Sequence, residues 1–364
     1  PDGFTVMARL RDQASAVRLV VRDDAGRDVA RSTPVAHPDP EAGVRLTIDG
    51  LESARDYFYA VEIDGDVDEV NVGRVRTFPG EATTFTVAVA SCAGTGSNGA
   101  VFDTIRVLEP DLYLVTGDLH YGNIDDNSVS QFRTAFAQVH GSAAQSALYR
   151  STPIAYVWDD HDYGPNDSDA TSRSRPAAWA AYRENVPHYA LASGGDGPIH
   201  QAFTIGRVRF VLTDTRSERD PNHATLLGEE QLEWFLDELL AARDTHALTV
   251  WVNSVPWIAA EDPTAGDWGG FAEERDRIGS FLGEHGITNL VMVSGDAHMV
   301  AIDDGSNSGY GGHDGFPVLH AAALDRPGSL KGGPYSHGSY PGAGQFGLLE
   351  VTDVGADRID VALV

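Results

Sequence analysis

Three apolar runs end in the same chemistry: Val115-Thr116-Gly117-Asp118-Leu119-His120-Tyr121, Val157-Trp158-Asp159-Asp160-His161-Asp162 and Val291-Met292-Val293-Ser294-Gly295-Asp296-Ala297-His298. Each has strand character and stops abruptly at aspartate and histidine. The carboxyl ends of parallel strands meet along one rim of an open α/β sheet, where ligands sit. Carboxylate and imidazole donors delivered together to that rim suit a multinuclear metal site. Asp118 at a strand end can bridge two cations, or it can cap the helix that follows. Around His161 three acids crowd one imidazole, and they repel one another unless a cation is present. His161 suits proton donation to a leaving oxygen. Gly295 lets the backbone turn so that Asp296 and His298 lean to the same rim.

Other residues carry open alternatives. Cys92, the only cysteine, ends the run Val87-Ala88-Val89-Ala90-Ser91. It reads as a thiolate nucleophile, a metal ligand or a buried small apolar residue; its position favours a site. A single cysteine leaves no intrachain disulfide and no cysteine-type zinc site. Asp214-Thr215-Arg216 offers a guanidinium suited to bidentate phosphate contact or to a structural ion pair. His120 stands two residues from Asp118, within reach of a substrate. Gly94-Thr95-Gly96-Ser97-Asn98-Gly99 matches a dinucleotide fingerprint, but that reading leaves the two histidine-bearing acidic runs without a purpose.

These residues need elements to place them. Runs at 85–91, 112–116, 154–158, 209–213, 248–253 and 290–294 alternate with helical stretches, among them 226–242 with an apolar stripe of Leu232, Phe235, Leu236, Leu239 and Leu240. Such alternation predicts a layered α/β domain. Residues 303–345 are rich in Gly, Ser, Pro and Tyr without periodicity, which predicts long loops over a site; two strands, 346–352 and 358–364, close the chain. Before residue 80 the pattern is all-β: short period-2 runs separated by Asp-Gly and Pro-Asp-Pro turns. Leu51, Tyr57 and the run Gly73–Pro79 resemble the close of a fibronectin type III domain, with Tyr57 as a corner tyrosine. Two domains are predicted, 1–80 and 84–364.

The 364 residues carry a net charge of −28, and Lys331 is the only lysine. A GC-rich genome and a saline habitat both account for that composition. So anionic a surface argues against generic nucleic-acid or anionic-membrane binding. No apolar run approaches a membrane span. The sequence opens at Pro1 without a basic n-region, so any signal peptide is expected to have been removed or never to have existed.

Taken in order, ASC at 90–92, PDLYLVTGDLHYG at 110–122, VWDDHDYGPND at 157–167, LTDTRSERDP at 212–221, LLGEEQLEWFLDEL at 226–239 and SGDAH at 294–298 resemble the PhoD-like (alkaline phosphatase D) branch of the calcineurin-like metallophosphoesterases. The resemblance implies a four-layer α/β/β/α sandwich after a small all-β domain. It implies a phosphomonoesterase or phosphodiesterase using a metal-activated hydroxide. Asp118 would bridge the metals, with Cys92, Tyr121 and His298 completing a ferric site. Asp160 and Asp296 would hold calcium, zinc or manganese being the alternatives; His161 would be the general acid. Where the wider superfamily places a histidine, Asn253-Ser254 stands, and Asn253 or Ser254 would offer an oxygen ligand in its place. Arg216 or His120 would steady the phosphate of a small phosphoester substrate. The resemblance also implies an exported protein, secreted, periplasmic or on the cell surface. A phospholipase-type diesterase and a surface-binding module with a vestigial metal site are the other readings.

Overall fold

The computed structural model describes residues 2–356 and 358–364. Two sheets make the larger part. One has the order Ile154–Val157, Leu112–Thr116, Phe85–Ala90, Gly347–Thr352, Asp360–Leu363; its first three strands are parallel and its last two antiparallel. The other has the order Gln201–Ile205, Val208–Leu212, Leu248–Val252, Leu290–Ser294, Val318–Ala321, Met299–Asp303, Ser339–Pro341, with a parallel centre and antiparallel edges.

Side-chain alternation decides how the sheets stack. Val250, Val252, Val291 and Val293 face the first sheet in one core with Val87, Val89, Leu114 and Val115. The residues between them, Trp251 and Met292, face the other way, onto Leu232, Phe235, Leu239, Ile278 and Leu282 of the helices Glu229–Thr245 and Ala272–Glu284. Helices Ala100–Val107, Val129–Gly141, Ala143–Ser151 and Arg175–Asn185 cover the outer face of the first sheet. The layers are therefore α/β/β/α, and strands buried on both faces explain the continuous apolar runs.

Two expectations need correcting. The helix expected from Leu226 begins at Glu229: Gly228 has φ +73, and the Leu226 and Leu227 amides donate to the Glu274 carboxylate at 3.0–3.3 Å. Residues 303–345 are not all loop. Val318–Ala321 is a fully buried central strand, whose four residues carry no periodicity because both faces are covered.

Residues 4–76 form an all-β unit of eight strands around Val17, Leu19, Val21, Leu46, Ile48, Tyr57 and Val75. It rests on the helical layer of the first sheet: Arg45 donates to the His188 carbonyl at 2.7 Å and Arg133 pairs with Asp39 at 3.2 Å. Tyr57, 3% exposed, accepts at its hydroxyl from the Glu52 amide, 3.0 Å away. Replacing Tyr57 with Phe orphans that amide and is expected to cost about 1 kcal/mol, read as a lower denaturant midpoint at an unchanged slope. An unchanged midpoint would mean that the hydroxyl does not hold the corner.

Candidate metal centre

Four strands of the two sheets end at one rim. Cys92 follows Phe85–Ala90, Asp118 follows Leu112–Thr116, Asp160 follows Ile154–Val157 and Asp296 follows Leu290–Ser294. Cys92, Asp118 and Asp296 adopt left-handed backbone, with φ of +63, +53 and +72. Side chains resist that region unless the surroundings over-determine it; here it swings each donor off its strand line towards the others. Two glycines allow the approach. A Cβ at Gly117 would stand 2.5 Å from the Cβ of Asp159, and one at Gly295 2.6 Å from the Thr116 carbonyl oxygen.

The donors fall into two groups that share Asp118. Ligand atoms of Cys92, Asp118 and His298 lie within 4.8 Å of one another, as do those of Asp118, Asp160 and His161. The Cys92 sulfur is 3.6 Å from Asp118 Oδ2, and the Tyr121 hydroxyl is 3.1 Å from His298 Nε2. The other Asp118 oxygen, Oδ1, is buried with no hydrogen-bond partner, a costly state for a carboxylate. Burial first, then the neighbouring carboxylates, push the Asp118 carboxyl and the Cys92 thiol well above their ordinary ranges. A cation in the cluster reverses both effects. The donor set therefore fits a metal, with thiolate, phenolate and imidazole on one side of Asp118 and mainly carboxylate oxygen on the other.

Both histidines are oriented by hydrogen bonds. His298 Nδ1 lies 2.7 Å from the Pro327 carbonyl. A carbonyl only accepts, so Nδ1 carries the proton and the Nε2 lone pair faces the cluster. His161 Nδ1 meets Asn123 Oδ1 at 2.5 Å, while the Asn123 amide nitrogen donates to the Tyr121 carbonyl. His320 donates from Nε2 to the Ala297 carbonyl at 2.8 Å and accepts at Nδ1 from Ser294. Burial holds it neutral, down to about 4, and it braces the Asp296–His298 turn from behind.

Asp160 accepts from the His161 and Asp167 amides at 2.9 and 2.6 Å. Burial opposes its ionisation, yet the field of Arg216 and then His161 holds it below the usual carboxylate range. Asp296 is already engaged: Lys331 Nζ lies 2.7 and 2.9 Å from its two oxygens.

Three expected contacts are corrected. Arg216 does not face a substrate: 1% exposed, it donates from Nε to Asp159 Oδ1 at 2.6 Å and lies beneath the acidic cluster as a fixed countercharge. Its Nη1 is buried as well, without a hydrogen-bond partner among the described residues. The structural ion pair is the reading that holds. Nor does His120 face the rim, being fully buried edge-on to Phe136 at 5.2 Å, with burial lowering its pKa to about 3. Asn253 shares a strand face with Trp251, by alternation the outer one. Its amide nitrogen donates to the Val255 carbonyl, and its oxygen accepts from the Trp268 indole at 3.3 Å. Ser254, the other candidate there, hydrogen-bonds Asp159 at 2.7 Å. Sequence reading passed over Asn123, Arg326 and Lys331. Only Lys331 carried a signal, as the single lysine.

Comparisons with known proteins agree with this architecture. Over 99% of the chain and 86% of the other, the fold superposes on a solved structure described as the structure of PhoD, with a TM-score of 0.79 at 19% identity. It also superposes on the purple acid phosphatase PPD1 from yellow lupin (Lupinus luteus) seeds, over 100% of the chain and 69% of the other, with a TM-score of 0.65 at 12% identity. The fold is that of the metallophosphoesterases. A family model, PhoD-like phosphatase, matches residues 87–320, and the chain belongs to that family. Alkaline phosphatase D of Bacillus subtilis (strain 168) is 25% identical over 336 residues, 77% of this chain; the chain spans 57% of that relative's length.

Lys331 and a divalent cation compete for one carboxylate. Removing the ammonium in Lys331→Met is expected to tighten binding of a divalent ion by about tenfold or more, since a like charge some 4 Å away opposes a doubly charged ion by roughly 2–8 kcal/mol. Titration of a divalent ion such as calcium into the two metal-loaded proteins measures this; equal affinities would show that Lys331 does not guard the site.

Proposed function

We propose that the chain is a metal-dependent phosphoester hydrolase. The observation that carries this is the Asp118 carboxylate set between two donor groups, with one oxygen buried and unsatisfied. Cys92, Asp118, Tyr121 and His298 would hold iron(III), a set that mixes soft and hard donors. Asp118 and Asp160 would hold calcium with Asp296, once that carboxylate is shared with Lys331. With Asn253 turned away, the protein offers few oxygens for an ion that takes 6–8 ligands, and water and substrate oxygens would have to supply the rest. When bound, the metals supply Lewis acidity, polarising a phosphoryl oxygen and acidifying water.

The chain's own part is proton delivery and charge balance. His161 stacks at 4.2 Å on Tyr121. With Nδ1 fixed on Asn123, its Nε2 is the position from which a proton reaches the leaving alkoxide. Burial is the main influence lowering its pKa, and Asp160 and Asp159 oppose it. Arg216 favours the ionised form of Asp160 from below and opposes the effect of burial on Asp159 and Asp296. No described helix is long and apolar enough to cross a membrane, and export belongs to this proposal as the family resemblance implies it.

A visible charge-transfer band from the Tyr121 phenolate to iron(III) is expected in protein purified without chelators, bleached or shifted by Tyr121→Phe. Colourless, fully active protein containing only zinc would refute the ferric assignment.

His161→Ala is expected to slow turnover by roughly 10²–10⁴-fold on esters with poor alkoxide leaving groups, and much less on p-nitrophenyl esters, at unchanged metal content. Equal losses on both substrates with metal lost would make His161 a ligand of the second ion, a role its distance to Asp118 and Asp160 permits.

A further inference from the structure

A substrate phosphoryl group needs a cation that faces it, and Arg216 and His120 are both buried away from the rim. One loop after the central strand Val318–Ala321 supplies what they do not. It is stitched to the site at both sides: Leu324 N donates to the Ser91 carbonyl at 3.0 Å, Gly94 N to Asp325 at 2.5 Å, and Ser329 exchanges hydrogen bonds with His298 at 3.0 and 3.1 Å. Pro327 receives the His298 imidazole proton. Between these anchors Arg326 is half-buried, its guanidinium 4.1 Å from the centre of the Tyr121 ring.

That guanidinium makes no hydrogen bond or ion pair among the described residues, and its Nε is buried without an acceptor. In a chain with 54 acids and 26 Lys and Arg residues, a guanidinium held at an acidic site without a carboxylate is unusual. Arginine presents a planar fork that matches two oxygens of a phosphate. The place of Arg326 on the Tyr121 ring sets it beside the donor group of Cys92, Asp118, Tyr121 and His298.

We propose that Arg326 is the binding residue for the phosphoryl group, and that the group it fits is the terminal phosphate of a monoester. This rests on the phosphoesterase reading above and names its substrate class. A monoester keeps three non-ester oxygens, so two can meet the fork while the third faces Asp118. A diester keeps two, so serving the Asp118 side leaves one for the fork. Lys331, five residues on, has a donor left over from Asp296 and adds a second positive charge beside the same oxygens.

The test titrates inorganic phosphate calorimetrically into metal-loaded wild type, Arg326→Met and Arg326→Lys. Metal content is measured on each, and turnover is followed on a monoester and a diester. Arg326→Met is expected to weaken phosphate roughly 10–100-fold and to raise KM more for the monoester than for the diester, at wild-type metal content. Arg326→Lys should recover part of the loss, because it restores charge without the fork. Unchanged phosphate affinity in Arg326→Met overturns the proposal, as does a weakening that merely follows lost metal, which would make Arg326 a support for Tyr121. An equal KM rise on the diester overturns the monoester assignment. If phosphate binds through Arg326 but neither ester is hydrolysed, the phosphoesterase reading fails and the anion site stands. If both esters turn over and Arg326→Met alters nothing, the reverse holds.

Discussion

The mutual repulsion of buried carboxylates is the constraint on which this molecule turns. Asp118, Asp159, Asp160, Asp162 and Asp296 gather at one rim, all of them buried or nearly so. The fold answers three of them by itself. Asp159 has Arg216, and Asp296 has Lys331. Burial pushes Asp162 up to about 8, and it accepts from Tyr156 and from the Leu119 and Asp159 amides. Asp118 and Asp160 stay together without a cation of their own at bonding distance among the described residues. That residue of charge, placed between a thiol, a phenol and two imidazoles, is what makes a metal the natural neutraliser.

Holding such a cluster takes a rigid frame. Two sheets packed through valine-rich inner faces put four strand ends on one rim, and three left-handed residues there turn the donors inward. Left-handed backbone at Cys92, Asp118 and Asp296 costs on the order of 1–3 kcal/mol each, a sum that only a well-packed frame can absorb. The second layer of contacts is as specific as the first. Asp162 ties the loop after Asp118 to the loop after Trp158, and Asp214 pins the Trp158 indole at 2.8 Å as well as the Arg216 and Ser217 amides at 3.0 Å. The run from Asp214 to Ser217 therefore works as scaffolding behind the metal donors.

Much of this was legible because apolar strands that stop at aspartate and histidine leave a strong local signature. The strands around 85–91, 112–116, 154–158 and 290–294, and the donors at their ends, needed no tertiary knowledge. What failed was orientation and charge partnering. Arg216 and Arg326 are the same residue type near the same site. Only packing reveals that one is sealed under Asp159 and the other is open above Tyr121. Asn253 stands at the right strand end, but alternation with Trp251 turns it to the wrong face. His120 is adjacent to Asp118 in sequence, and a step of two along a turning loop sends it into Phe132 and Phe136. Val318–Ala321 escaped notice because a short strand buried on both faces has no pattern to display.

The overall charge gives the loop after Val318–Ala321 its weight. A chain of −28 repels an anionic ester at long range, but that repulsion is screened beyond about 8–10 Å at physiological ionic strength. Contacts at the rim act at a few ångströms, well inside that screening length. Recognition then depends on a few cations at close quarters. Arg216 lies against Asp159, Lys331 against Asp296 and Arg326 on the Tyr121 ring, so three cations surround the candidate metal donors. Arg216 and Lys331 stay paired with those carboxylates, and Arg326 alone is left without one among the described residues. On the phosphoesterase reading proposed above, an acidic surface around those cations would favour a compact, highly charged phosphoryl group over a large polyanion, whose remaining phosphates would lie against the acidic exterior.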